Sequence, residues 1–212
     1  MRRTLLLLTT MVVALLLASG VALALNKVGT NGPDTLRGTN GDDDLLGRGG
    51  NDKLVSLNGR DNLQGGPGKD CLLCRATRQF RFFEGDKNLL GGPGNDFVWA
   101  GKGSDNVAGG EGNDLLIDDG VSELSQDNFS GGPGDDVIDV LHYRSARDSV
   151  VCGGGFDRVA ANSNDVVASD CEKVVVFKGG TRSEFFDVID SFYESIPQNF
   201  VEGLPAEEQC GV

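Results

Sequence analysis

The stretch Gly29–Leu73 reads GTNGPDTLR-GTNGDDDLL-GRGGNDKLV-SLNGRDNLQ-GGPGKDCLL, which is five abutting units of nine residues. Each unit has a first half rich in glycine and asparagine, an aspartate at its sixth place and an aliphatic residue at its eighth. The same phase returns at Gly91 as GGPGNDFVW, AGKGSDNVA and GGEGNDLLI, at Gly131 as GGPGDDVID and at Cys152 as CGGGFDRVA. An aspartate and an aliphatic residue held in one register predict a repeated metal-binding turn followed by a short strand.

Each nine-residue unit divides into a turn and a strand. Six residues rich in Gly, Asn and Pro suit a tight turn, because Gly permits positive φ and Pro presets φ. The last three residues suffice for a very short strand whose inward side chain is the eighth place. Two units then close one coil of about 18 residues, and alternate units stack on the same edge. We therefore predict an all-β fold, a parallel β-roll in which two sheets form a solenoid of about eight coils.

The sixth-place carboxylates are the candidate metal ligands. Stacked coils lie about 4.8 Å apart, so carboxylates from alternate units can reach one shared cation. Calcium is favoured because it is hard and accepts carboxylates and backbone carbonyls, whereas softer metals prefer His or Cys. On this basis Asp52→Ala should loosen both neighbouring sites on its edge. The predicted ligands are Asp34, Asp43, Asp52, Asp61, Asp70, Asp96, Asp105, Asp114, Asp136 and Asp157.

The units resemble the G-G-x-G-x-D-x-U-x nonapeptide of the repeats-in-toxin (RTX) family, where U is aliphatic, over about residues 29–159. The resemblance implies a β-roll that binds calcium through the aspartates and the carbonyls of the turn glycines. Thr30 and Thr39 replace the second glycine, and Ser56-Leu57 replaces the glycine pair, so sites at those turns should be weaker. The uninterrupted run Gly29–Leu73 is expected to bind best.

Two further units retain the register but lack the glycines. The unit at Ser122, SELSQDNFS, keeps Asp127 and Phe129, and the unit at Tyr143, YRSARDSVV, keeps Asp148 and Val150. We expect both to form a strand and to bind calcium poorly.

Composition supports cations as partners. The 212 residues carry 19 basic and 32 acidic side chains, a net charge of −13. This balance argues against nucleic acid and anionic membranes. Without cations the acidic groups repel one another, so a loose metal-free chain is expected.

Residues 1–24 have the pattern of a secretory signal peptide. Arg2 and Arg3 precede an almost wholly apolar run from Thr4 to Ala24 that ends in the cleavage pattern Ala22-Leu23-Ala24. The prediction is a secreted, extracellular bacterial protein that has no membrane contact after cleavage. An uncleaved membrane anchor is the alternative, because the apolar run is near spanning length.

The remaining chain divides into a roll and a tail. The roll is assigned to residues 25–176 with interruptions at 74–90, 118–121 and 140–142, and the tail to residues 177–212. Residues Cys74–Leu90 are either a degenerate coil, with strands near Phe80–Phe83 and Asn88–Leu90, or a partner-binding loop. Apolar residues at helical spacing predict a helix over Ser183–Ile196 with Ser183 as N-cap. This helix either caps the last coil or docks a partner.

The five cysteines should pair in an exported protein. The stretch around Cys152 and Cys171 resembles the C-terminal ends of bacterial calcium-binding repeat proteins, and this resemblance implies that these two cysteines form a disulfide. Cys71 and Cys74 form either a small structural ring or a redox pair. Cys210 is then left unpaired or links two chains.

Binding, not catalysis, is the expected activity. His142 is the only histidine and has no triad context. Calcium-driven folding of a rigid roll is the first interpretation. Alternatives are a calcium-stiffened surface adhesin with a cell-surface or glycan partner, and an accessory module of a secreted hydrolase. For an enzyme, the 24 leader and 36 tail residues are too few to form a catalytic domain.

Overall fold

The computed structural model describes residues 24–74, 87–118, 125–142, 147–205 and 210. Within these residues the chain forms a parallel two-sheet solenoid with eight strands in each sheet, which confirms the predicted fold class. The odd sheet contains β1 Asn26–Val28, β3 Asp44–Leu46, β5 Asn62–Gln64, β7 Asn88–Pro93, β9 Asn106–Glu111, β11 Asn128–Pro133, β13 Ser149–Gly154 and β15 Val166–Val167. The even sheet contains β2 Thr35–Arg37, β4 Lys53–Ser56, β6 Cys71–Cys74, β8 Phe97–Trp99, β10 Leu115–Ile117, β12 Val137–Asp139, β14 Arg158–Asn162 and β16 Lys173–Phe177.

The eighth places of the units form the core between the two sheets. Each strand pairs with the strand one coil further on, so Leu36 stands beside Leu54 and Leu54 beside Leu72. Because successive side chains of a strand point to opposite faces, one aliphatic residue per strand reaches the interior. These buried side chains form a line through the interior: Leu36, Leu45, Leu54, Leu63, Leu72, Leu89, Val98, Val107, Leu116, Phe129, Ile138, Val150 and Val159. Cys74, Ala100, Val140, Cys152 and Ala161 belong to the same core.

The degenerate units keep their strands. Asn88–Leu90 pairs with β5 on one side and β9 on the other, so this part of the predicted interruption belongs to the roll. Phe129 in β11 and Val150 in β13 are buried, and the predicted strands at these two units are confirmed. The predicted strand at Phe80–Phe83 lies outside the described residues.

The tail forms two helices, α1 (Arg182–Glu194) and α2 (Gln198–Gly203). The N-cap of α1 is Thr181 and not Ser183, because the Thr181 side chain accepts from Glu184 N–H and the Glu184 side chain accepts from Thr181 N–H. Phe185, Phe192 and Phe200 pack against outward-facing side chains of the even sheet, among them Val137 and Ala160. The helices therefore cover outward-facing side chains of the even sheet, including Phe177 of its last strand, where the sequence left a cap on the last coil and a partner-docking helix open.

The disulfides agree with the sequence in one pair and differ in the other. Cys152 is bonded to Cys171, as the resemblance implied. Cys71 is bonded to Cys210, and Cys74 is free and buried. The predicted Cys71–Cys74 pair is wrong because the two side chains lie on opposite faces of β6. Cys74 joins the inner core, while Cys71 lies on the outer face beneath the returning tail.

Candidate metal centres

The sixth-place residues form two ladders, one along each edge of the roll. In each ladder the backbone N–H of one aspartate donates to Oδ1 of the aspartate one coil further on, as from Asp52 to Asp70 at 2.7 Å and from Asp96 to Asp114 at 2.8 Å. We call the turns that lead from odd to even strands edge one, and those that lead from even to odd strands edge two. Edge one carries Asp34, Asp52, Asp70, Asp96, Asp114, Asp136 and Asp157 and ends on Glu172. Edge two carries Asp43, Asp61, Lys87, Asp105, Asp127, Asp148 and Asp165.

All ten predicted ligands lie on these ladders, and alternate units share an edge as expected. Sequence reasoning missed Lys87, Asp165 and Glu172. Each of them is followed two places later by an aliphatic residue, at Leu89, Val167 and Val174. These units lack the leading glycine pair that marks most of the others, so the spacing to the aliphatic residue is the signal that could have found them.

On edge one, the second carboxylate oxygen of five aspartates is buried and accepts no hydrogen bond. Oδ1 is held by the backbone of the preceding coil, but Oδ2 has no hydrogen-bond partner. Burying a carboxylate oxygen that has no hydrogen-bond partner is energetically costly, and a bound proton or cation removes this cost. On edge one these atoms are Oδ2 of Asp70, Asp96, Asp114, Asp136 and Asp157.

Burial raises the pKa of these carboxyl groups far above their ordinary value. The pKa reaches about 7 at Asp70 and Asp114, and about 8 at Asp96 and Asp136. Neighbouring carboxylates of the same ladder add to the effect at Asp70, Asp96 and Asp136, since like charges one coil apart disfavour ionisation. Metal-free edge one therefore holds protons near neutral pH, and a divalent cation can replace them.

Stacked glycines leave room around the carboxylates of edge one. A Cβ at Gly91, the first place of its unit, would collide with Oδ2 of Asp96. At the fourth place, Gly94 and Gly112 have φ of +146° and +129°, and a Cβ on Gly112 would overlap the Gly94 carbonyl oxygen. Only glycine fits such a close backbone stack. Carboxylates and turn carbonyls thus line one edge, and this oxygen-rich donor set fits calcium.

Edge two is built differently. The first edge-two turn keeps Gly38, but the place that glycine occupies in most edge-one turns is held from there on by Ser56, Cys74, Ala100, Asp118 and Val140. These side chains fill the space beside the ladder that the edge-one glycines leave open. The structure therefore favours calcium sites on edge one over those on edge two, whereas the sequence favoured the sites of the uninterrupted run Gly29–Leu73.

The threonine-containing turns satisfy their own carboxylates. Thr30 donates to Oδ2 of Asp34 from its backbone N–H at 2.6 Å and from its hydroxyl at 2.9 Å. Thr39 donates to Asp43 in the same way, with its hydroxyl 3.0 Å from Oδ1. These internal bonds compete with a metal, which agrees with the expected weakness of both sites.

Comparison with known families agrees with this geometry. The RTX calcium-binding nonapeptide repeat matches in four copies, over residues 28–63, 47–73, 84–116 and 125–140. The chain is an RTX-repeat protein. Of the predicted ligands, only Asp157 falls outside the matched stretches of this RTX chain. No curated protein and no solved structure matches it. In the described part of the RTX chain, no helix has the length and apolar character needed to cross a membrane.

Proposed function

We propose that this RTX chain is a secreted calcium-binding protein in which calcium, held between the stacked turns of edge one, drives the folding of the roll. The observation that carries the proposal is the ladder of buried carboxylates whose Oδ2 atoms lack a hydrogen-bond partner. Calcium would supply the positive charge that lets these groups ionise inside the fold. Its ligands would be Asp52, Asp70, Asp96, Asp114, Asp136 and Asp157 together with carbonyls of the adjoining glycine turns.

The small core explains why folding would depend on the metal. The core is narrow, because most strands contribute only one large aliphatic side chain to it, and the chain carries a net charge of −13. Hydrophobic burial is therefore modest, while charge repulsion between the coils is large. Under these conditions the free energy of metal binding becomes free energy of folding.

The test is far-UV circular dichroism of residues 25–212, first with chelator and then during a calcium titration. The expected result is a change from a disordered to a β-rich spectrum that saturates with calcium and is absent with magnesium, which demands a tighter octahedral site. A spectrum that is β-rich in chelator and indifferent to calcium would refute calcium-driven folding.

Export is part of the proposal. Two disulfides, Cys152–Cys171 and Cys71–Cys210, support a site of folding outside the reducing cytosol. Most of the predicted leader lies outside the described residues. N-terminal sequencing of the protein recovered from the medium of an expressing bacterium tests this point. A first residue of Leu25 is expected, and retention in the cell with Met1 intact would contradict export.

A glycan or cell-surface partner is a second candidate, and it is favoured by the outer face of the odd sheet. A shallow groove of about 570 Å³ runs across this face, lined by Asn62, Asn88, Asn106 and Asn128 and by exposed Leu90 and Val151. The asparagine amides bond along the sheet, with Asn106 donating to Asn88 at 3.1 Å and Asn128 donating to Asn106 at 3.0 Å. A glycan array with the calcium-loaded protein tests this, and Leu90→Glu should abolish any binding at this groove. The partner-binding loop that the sequence predicts at residues 74–90 lies mostly outside the described residues.

We further propose that the chain acts by binding and not by catalysis. A panel of protease, lipase and polysaccharide substrates, incubated with the calcium-loaded protein, tests this directly. Turnover of any substrate would instead support the role of a hydrolase or of its accessory module.

A further inference from the structure

Lys87 occupies an aspartate position of the edge-two ladder. Its backbone N–H donates to Oδ1 of Asp105 at 2.8 Å, as the aspartates of the ladder do, and the residue is 1% exposed. Its ammonium group donates to the carbonyl of Lys102 at 3.3 Å. The positive charge lowers the pKa of Asp61 one coil away, although burial still raises that pKa to about 6. A buried cation thus stands inside a column of carboxylates.

His142 lies further along the same edge and is fully buried. Its Nε2 is 2.9 Å from Oδ2 of Asp118, and its Nδ1 is 3.3 Å from Oδ2 of Asp148. The backbone around it is fixed by Asn162, whose side chain accepts from His142 N–H at 2.8 Å and donates to His142 C=O at 2.9 Å. The histidine is therefore held rigidly between two carboxylates.

The arrangement fits an imidazolium better than a metal ion. The two ring nitrogens face different carboxylates from opposite sides of the ring, so one metal cannot be bound through both contacts. Only the protonated ring has a donor on each nitrogen. Burial lowers the pKa of His142, but the bonds to Asp118 and Asp148 outweigh it and raise the pKa to about 10.

We propose that Lys87 and His142 are built-in cations of edge two, which neutralise its buried carboxylates in the way that calcium does on edge one. The comparison with edge one rests on the proposed function, whereas the charges of Lys87 and His142 do not. The two edges of the roll then have different requirements. Edge one needs calcium, and the part of edge two from Asp61 to Asp148 is held by side chains of the chain itself.

The acidic groups around His142 outnumber its single charge. Asp118 and Asp148 contact the ring, Asp139 and Asp165 interact with it through their charges, and Asp127 interacts with both contact carboxylates. Burial raises the pKa of Asp127, Asp139 and Asp165, and Asp139 also accepts a 2.7 Å bond from the Tyr193 hydroxyl. Burial therefore disfavours ionisation of those three groups, and the two contact carboxylates are the direct partners of the imidazolium.

The sole histidine makes a direct test possible. A long-range ¹H–¹⁵N NMR spectrum of the calcium-saturated protein contains one imidazole, so its protonation is read without assignment. At pH 8 both ring nitrogens should carry a proton, and the titration midpoint should lie well above the ordinary value of 6.5. A neutral ring at pH 8, or ring signals that shift on addition of one equivalent of Zn²⁺, would overturn the proposal. The result can be read even if the protein folds without calcium, so it is independent of the proposed function.

Substitution of Lys87 tests the other cation. Lys87→Met should lower the melting temperature of the calcium-saturated protein by several degrees and leave the number of bound calcium ions unchanged. Lys53→Met, which removes a partly exposed charge in β4, is the matched control and should have a much smaller effect. Equal melting temperatures for the Lys87→Met and Lys53→Met proteins would overturn this assignment.

Discussion

The backbone N–H of Asp70 donates a 2.8 Å hydrogen bond to Oδ1 of Asp96, which lies 26 residues later in the chain. On both sides of this pair the same bond spans 18 residues, from Asp52 to Asp70 and from Asp96 to Asp114. The ladder therefore continues unchanged across a coil that contains eight additional residues. The register is set by the carboxylate–amide bonds and by the buried aliphatic line, and a longer connection can be accommodated between two strands.

Removal of one edge-one carboxylate should weaken calcium binding at more than one site. Asp96→Asn preserves the acceptor for Asp70, since the amide oxygen can still accept from Asp70 N–H, but it removes the charge. Calcium affinity should fall by about tenfold or more at the sites that share this group, or at least about 1.4 kcal/mol. Isothermal titration calorimetry measures the effect. Asp44→Asn, at an exposed position of β3, is the control, and an equal response of the two variants would contradict a shared site at Asp96.

The metal-free roll should lose stability as pH rises. The pKa of Asp96 is about 8 in the folded chain against an ordinary value of 3.8, and that of Asp61 is about 6. A group with a raised folded pKa binds its proton more tightly in the folded state. Its contribution is therefore fully present below 3.8 and is lost as pH rises through the folded value. In chelator, urea unfolding should show stability that declines from pH 4 towards the disordered state expected at neutral pH, and calcium should reverse the decline.

His142 is the only histidine, and its contribution to the stability of the fold is lost in a different pH range from that of the carboxylates. Its folded pKa of about 10 exceeds the ordinary 6.5, so its stabilisation is lost between those values and not below pH 6. A decline between pH 4 and 6 therefore reports the carboxylates alone. Stability in chelator that is constant or rises over that interval would contradict the buried, protonated carboxyl groups.

A methyl group at the fourth place of an edge-one turn should not be tolerated. Gly94 has φ of +146°, and a Cβ there would overlap the carbonyl oxygen of Gly68 in the preceding coil. Gly94→Ala should cost more than the about 1–2 kcal/mol typical of a strained left-handed residue, because the steric overlap adds to the strain. Gly154→Ala is the control, since a Cβ there meets no atom within 4 Å. Thermal unfolding with calcium should separate the two variants, and similar melting temperatures would argue against close glycine stacking.

Loss of the Cys71–Cys210 disulfide should destabilise the roll and release the tail. The bond closes a loop with a sequence separation of 139, and in the chain-entropy model a loop of this order contributes about 5 kcal/mol. The double variant Cys71→Ala/Cys210→Ala should unfold at lower denaturant concentration. It should also be cleaved faster by protease after Phe200, which the folded tail buries.

Cys74→Ala is the matched control for that variant, because Cys74 is a free cysteine in the inner core. Its effect should be limited to the loss of one buried sulfur atom. Equal protease resistance of the double variant and the wild type would show that the disulfide does not hold the tail on the even sheet.

The sequence by itself determined the coil, its edges and its core. Asp34, Asp52 and Asp70 recur every 18 residues with an aliphatic residue two places later, and a chain with that period can bury one side chain per strand only as a roll. The turn conformation is also predictable from each nine-residue unit, because it depends on the glycine and proline residues within that unit.

The tertiary structure alone decided what lies at each edge and on each face. His142 has no repeat signature, and the register of Lys87 does not reveal its role as a cation. Both roles follow from the ladder that brings Asp105, Asp118 and Asp148 to them from other coils. The pairing of Cys71 with Cys210 likewise depends on the path of the tail over the even sheet. These contacts join residues that are far apart in the chain, and no local period encodes them.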